Sequence, residues 1–198
     1  MVDFFIGLFL ASLITALFTT RLYRLFAWYA FNSFTLGVLA MLIGLKLNDK
    51  AMLITAILTI ILKTIAIPYF LKRISNKFHF PRQIKSELKT QYAIMLIPAI
   101  LVFTFYLSSI IVNMIGNNSN YVAVSISSLF LALLLMMVHK SIAPKIIGFL
   151  SIENSLFLLG VTATNGMPML VELGIFFDLL IAIVVINLLF DREEIKNV

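Results

Sequence analysis

The sequence predicts an all-α fold, a polytopic membrane helix bundle of about seven transmembrane helices, N-out and C-in. Three observations lead there. Of the 198 residues, 62% are hydrophobic and 12% charged, where a soluble domain carries about 45–50% apolar and about 25% charged residues. Mean hydropathy is +1.07. The apolar residues fall into runs of the roughly 20 residues that cross a bilayer, and basic residues collect in every second break between runs. Such a composition excludes an ordinary soluble enzyme. It excludes a disordered chain as well, which needs low hydrophobicity and high charge. With no cysteine, disulfides, iron–sulfur ligation and cysteine nucleophiles are excluded too.

The runs are taken in order. Phe4–Thr20 carries no charge; Asp3 precedes it and Arg21 and Arg24 follow. That polarity is the reverse of a signal peptide, so a retained first span is expected. Leu25–Leu45 forms the second, ending at Lys46, Asn48, Asp49 and Lys50, and Ala51–Leu71 the third, interrupted by Lys63. Lys72 to Lys89 is a basic connection containing Pro81 and His79. Thr90–Val138 then runs 49 residues without a charge, about 74 Å as one helix, more than twice the bilayer core. It has to turn back, and Gly116-Asn117-Asn118-Ser119-Asn120 is the cluster that breaks it. This gives spans at Tyr92–Ile115 and Tyr121–Val138, then a sixth at Ile146–Ala163 and a seventh at Met169–Phe190 beyond the turn Asn165-Gly166-Met167-Pro168. With the N-terminus outside, 12 of the 15 basic residues lie in inner loops, Lys46 and Lys50 in outer ones, and Lys63 within a span. The net charge of +6 is thereby a topology signal beside anionic lipid and calls for no nucleic acid. Trp28, Tyr23, Tyr29 and Tyr69 read as interface anchors.

Four ionisable residues fall inside spans: Lys63, Glu153, Glu172 and Asp178. A charge at the bilayer centre costs about 2.5 to 3.5 kcal/mol on insertion scales, against a return of about 0.3 to 0.6 per apolar residue. Residues this costly pair with each other or line a wet path. Counted from the inner ends of the spans, Lys63 lies about 13 Å deep, Glu153 about 10 Å and Asp178 about 18 Å, around a midplane near 15 Å, with Glu172 near 27 Å. Lys63 is a static partner for Glu153 or Asp178 in one reading. In the other, three acids to one lysine leave carboxylates that take and release protons. His139, at the inner end of the fifth span, is read as an interfacial residue, with a proton-access role as the alternative. The two histidines have no metal-ligand spacing. Nucleotide loops, catalytic triads and dinucleotide fingerprints are missing from the sequence, so no catalytic site and no cofactor are expected in this chain.

The last third carries a family resemblance. Gly148-Phe149-Leu150-Ser151-Ile152-Glu153-Asn154, followed by Gly166-Met167-Pro168 and Glu172-Leu173-Gly174-Ile175-Phe176-Phe177-Asp178, resembles component E of hydrogenase-4, a family related to the K subunit of respiratory complex I. The resemblance is specific over about Pro144–Phe190 and weak over Met1–Asn120. Lys63 with Pro68 resembles a lysine-then-proline feature in the N-terminal half of component E. The resemblance implies two regions of a single membrane domain, residues 1–120 with four helices and residues 121–198 with three helices like those of the K subunit. Glu153 would match the glutamate of that subunit's second helix and Glu172 that of its third. It further implies a multi-pass subunit of the cell membrane, in an energy-converting NiFe hydrogenase or related complex. The chain would sit among antiporter-like subunits and one like the H subunit of complex I, coupled indirectly to a peripheral hydrogenase arm. Its expected contribution is a proton relay (or a sodium path) through Glu153, Asp178, Lys63 and Glu172. The alternatives are a subunit of a multisubunit cation/proton antiporter and a small stand-alone transporter.

Overall fold

A computed structural model describes residues 1–77, 81–84, 90–115 and 119–163. Among the described residues the chain is all-helical: α1 Val2–Leu17, α2 Leu22–Leu47, α3 Lys50–Lys77, α4 Thr90–Ile115, α5 Ser119–Val138 and α6 Ile142–Ala163. Five of them, α2 to α6, are long and apolar enough to cross a membrane. The expected seventh span, with Glu172 and Asp178, lies outside the described residues, as does His79.

The first helix begins two residues before and ends three residues before the expected span Phe4–Thr20. At 16 residues it is about 24 Å long, less than a hydrocarbon core of about 30 Å. Its end has two causes, one within the helix and one distant in the chain. The Thr19 hydroxyl donates back to the Thr15 carbonyl at 2.8 Å, and the next residues pair sideways with the connection after α3. Ile84 N–H donates to Thr20 O at 2.8 Å and Leu22 N–H to Arg82 O at 3.1 Å, an isolated antiparallel bridge of Arg21 with Gln83. The basic connection is therefore partly built into the fold. Helix α3 runs on to Lys77, and Ile84 buries its side chain in the core.

At the opposite end, α2 passes to α3 through a two-residue turn. Asn48 adopts the left-handed conformation, φ 54°, a conformation asparagine tolerates better than most residues. Asp49 then caps α3, its carboxylate accepting from Ala51 N–H at 2.9 Å and Met52 N–H at 3.4 Å.

Helix α3 departs from α-helical geometry over Ile60–Ala66, where it widens into a π-helix; Ile67 N–H reaches five residues back to Leu62 O. Pro68 is the physical reason. A proline ring inside a helix clashes with the carbonyl four residues earlier and donates no hydrogen bond, and widening the preceding turn relieves both. Helix α2 makes room, since a Cβ on Gly37 would collide with Ile60 Cγ1.

Helix α2 packs against α1, α3 and α6, while α5 bridges α1, α4 and α6. Helices from residues 1–120 thus interleave with those after 120. The buried apolar residues form two clusters. One lies toward the end that holds Arg21 and Gln83 and includes Leu17, Leu25, Leu71, Leu135 and Ile147. The other lies toward the Asp49 end and includes Phe9, Leu39, Met52, Ala56 and Leu158.

Candidate functional site

Between the two apolar clusters lies a polar layer. Along α1, Ser12 separates Phe9 from Leu13; along α2, Asn32 and Ser33 separate Tyr29 from Leu36; along α6, Glu153 and Asn154 separate Leu150 from Phe157. Lys63 holds the same position in α3, thirteen residues after Lys50 and fourteen before Lys77. These polar side chains are all buried.

Lys63 and Glu153 meet. The Lys63 ammonium lies 2.7 Å from Glu153 Oε1, with side-chain exposures of 4% and 8%, close enough to make this a charge-assisted hydrogen bond. Lys63 also donates to Asn154 Oδ1 at 3.2 Å. Asn154 Nδ2 donates in turn to Asn32 Oδ1 at 3.0 Å and to Ser33 Oγ at 2.9 Å. Asn32 Nδ2 donates to Ser12 Oγ at 2.9 Å and to Phe9 O at 3.0 Å. The network thus runs from α3 through α6 and α2 to α1, every bond pointing away from the ammonium. Hydroxyls of α4 and α5 extend the layer, where Thr104 and Ser127 are hydrogen-bonded; Ser125 of α5 and Thr162 of α6 meet at 3.3 Å farther toward the Asp49 end.

The chemistry divides along this network. Carboxylate and ammonium exchange protons; side-chain amides and hydroxyls donate and accept hydrogen bonds without titrating. Lys63 and Glu153 are the ionisable pair of the layer, and Asn154 bonds the lysine on one side and Asn32 on the other. The pair is also costly. Two ions leave water for a bundle interior, and their attraction offsets this only with good geometry and further hydrogen bonds, which Asn154 supplies to the lysine.

The depth of Glu153 differs from its expected value for a plain reason. Helix α6 begins at Ile142 rather than Ile146, so Glu153 is eleven residues from the helix start, about 16 Å along the axis instead of about 10 Å. The same count from the end of α3 at Lys77 puts Lys63 fourteen residues in, about 21 Å, and the long lysine side chain spans the difference to reach Glu153.

Two other expected placements change. His139 does not snorkel to an interface: it is 4% exposed, and its Nδ1 donates to Leu135 O at 3.1 Å. Burial pushes its pKa below the ordinary imidazole value, and the bond to Leu135 opposes this in part. Tyr29, expected as an interface anchor, is 1% exposed and belongs to the core, whereas Tyr23 and Tyr69 stand on the surface. Among the described residues no cluster of three or more His, Cys, Asp or Glu side chains could hold a metal ion.

The sequence reading overlooked Asn32, Ser33 and Ser12. One signal was present: Asn32 is a lone carboxamide in the middle of the apolar run Leu25–Leu45. Its weight becomes visible only once α6 brings Asn154 against it.

The chain is similar to an uncharacterised protein of Mycobacterium tuberculosis, Rv0085. The two are 26% identical over 171 residues, covering 85% of this chain and 76% of the relative. No family model matches the chain, and no solved structure matches it.

Proposed function

We propose that this chain is an integral membrane subunit of a complex-I-like assembly, an energy-converting hydrogenase or a related complex, in which it contributes the Lys63–Glu153 pair to proton (or sodium) movement. The observation that carries the reading is a hydrogen-bonded ammonium–carboxylate pair in a polar layer between two apolar clusters, on helices whose sequence resembles component E of hydrogenase-4. The topology proposed with it is seven helices, N-out and C-in. In that topology Asp178 and Glu172, both outside the described residues, would belong to the seventh span, Asp178 as a midplane neighbour of Glu153 and Glu172 leading toward the next subunit or the outer face. His139 stands near the inner end of α5.

The mechanism is electrostatic. A negative charge arriving beside α3 draws the Lys63 ammonium off Glu153, and the carboxylate left in an apolar surround takes up a proton. When the ammonium returns, the proton is driven on. Redox centres and catalysis belong to other subunits.

Glu153→Gln tests this. It keeps the shape and the contact to Lys63 but removes the exchangeable proton. In the assembled complex we expect proton pumping to fall at least tenfold while the complex still assembles and transfers electrons. Pumping that stays at the native level in a correctly assembled Glu153→Gln complex would reduce the pair to a packing device and sink the relay.

A further inference from the structure

We propose that the groove between α2 and α3 at the Arg21 end is a binding site for one anionic phospholipid of the adjacent leaflet. The site stands independently of the function proposed above. The groove is a cavity of about 440 Å3 with Phe26, Ala27 and Ala30 on α2 and Pro68, Tyr69 and Lys72 on α3 among its walls, within the range of about 300 to 1,000 Å3 of small-molecule sites.

Its lower part is built for an acyl chain. Ala27 and Ala30 leave one side of α2 without bulk, and Pro68 lies just past the π-segment of α3. Phe26 is buried at the wall, and Tyr69 stands exposed beside it.

Its rim is built for an anion. Lys72 stands 6.0 Å from the centre of the Tyr23 ring, and that ring is held in place by its hydroxyl, which donates to Asn76 Oδ1 at 2.6 Å. The lysine stem thus lies along the apolar wall with its ammonium at the mouth. Arg24 in the first turn of α2 and Arg73 beside Lys72 are both exposed at this end. Helix α2 presents its positive pole here. Its first turn holds no acidic residue, and Arg21 at its cap makes no side-chain capping bond. Among the described residues the carboxylates are Asp3, Asp49 and Glu153; the first two lie at the opposite end, and the third is buried at mid-depth. An apolar slot under a rim carrying Lys72, Arg24 and Arg73 matches a phosphate headgroup carrying an acyl chain.

The protein carries its own reporter. Trp28 is its only tryptophan and adjoins Ala27. The full chain is reconstituted in phosphatidylcholine vesicles containing a small fraction of either brominated phosphatidylglycerol or brominated phosphatidylcholine, and quenching of Trp28 fluorescence is compared. The brominated anionic lipid is expected to quench more strongly at equal mole fraction. Lys72→Gln, at an exposed position, is expected to lower its relative association constant about five-fold, the effect of one basic contact at a membrane surface. Arg82→Gln, at the same end but outside the groove, should leave it unchanged. Ala30→Leu fills the slot without altering any charge and should lower the preference as well. Equal quenching by the two lipids in the native protein would overturn the proposal. So would a preference that survives Lys72→Gln or Ala30→Leu, or one that Arg82→Gln reduces as much as Lys72→Gln does.

Discussion

Removing one member of the Lys63–Glu153 pair leaves its partner as a charge buried in the bundle, and such single removals cost about 3 to 5 kcal/mol. Lys63→Met is therefore expected to destabilise the reconstituted protein by that order in reversible detergent unfolding. Lys63→Met combined with Glu153→Leu should recover most of the loss, because a well-packed apolar replacement of a buried pair is close to neutral. If the double variant is as unstable as the single, the pair does not carry the interaction energy assigned to it. The two charged members were legible in the sequence because a charge within an apolar run is costly enough to need a reason. Their supports were not. Asn32, Ser33 and Ser12 cost far less to bury, so no rule about single positions marks them. Their function in the layer comes from three-dimensional alignment: Asn154 donates to Asn32, and Asn32 to Ser12.

At the scale of elements, the positions of the described helices follow from hydrophobic runs and breakers; Asn48 and Asp49 set the α2–α3 turn locally, while the end of α1 depends on bonds to a segment distant in the chain. Helix α1 stops at Leu17 because residues 20–22 pair with residues 82–84, and nothing near Leu17 in the sequence announces that. The π-segment is half legible: Pro68 signals a disturbed turn, while the accommodation opposite, at Gly37, belongs to another helix. The turn from α5 to α6 supplies an expected pH response. His139 is buried there, and its pKa in the fold is lowered by that burial. The unfolded chain then binds a proton more readily than the folded one. Stability from this site is complete above the ordinary imidazole value near ~6.5 and falls as pH drops below it toward the lowered folded value. Melting of the native protein in detergent should decline between about pH 7 and pH 5, in the range where histidine titrates. His139→Gln should show a shallower decline, and an identical slope in both proteins would remove His139 as its source.

On the scale of the whole molecule, the bundle is two apolar clusters with a polar layer between them, and each described helix contributes a polar side chain to that layer. A bundle held together by apolar packing alone has no need of it. Lipid tails are as apolar as leucine, so helices in a bilayer gain from small-residue packing and interhelical hydrogen bonds rather than from hydrophobic burial. Part of the layer serves that purpose, as the contact of Thr104 with Ser127 does. The Lys63–Glu153 pair goes further than packing requires, because amides and hydroxyls hold helices together at lower cost. The outer helices point to company as well. Among the described residues helix α4 is far less buried than α5 and exposes Met95, Val102, Phe103 and Tyr106, an outward face suited to lipid or to a neighbouring subunit.

The proposed function requires that Glu153 change its protonation as the assembled complex turns over. Infrared difference spectra between the resting and the working complex test this most directly. We expect a carboxylic-acid C=O band to appear or vanish with turnover, and to be missing in Glu153→Gln. A difference spectrum in which every carboxyl band survives Glu153→Gln unchanged would contradict the account and leave Lys63 and Glu153 as a static lock.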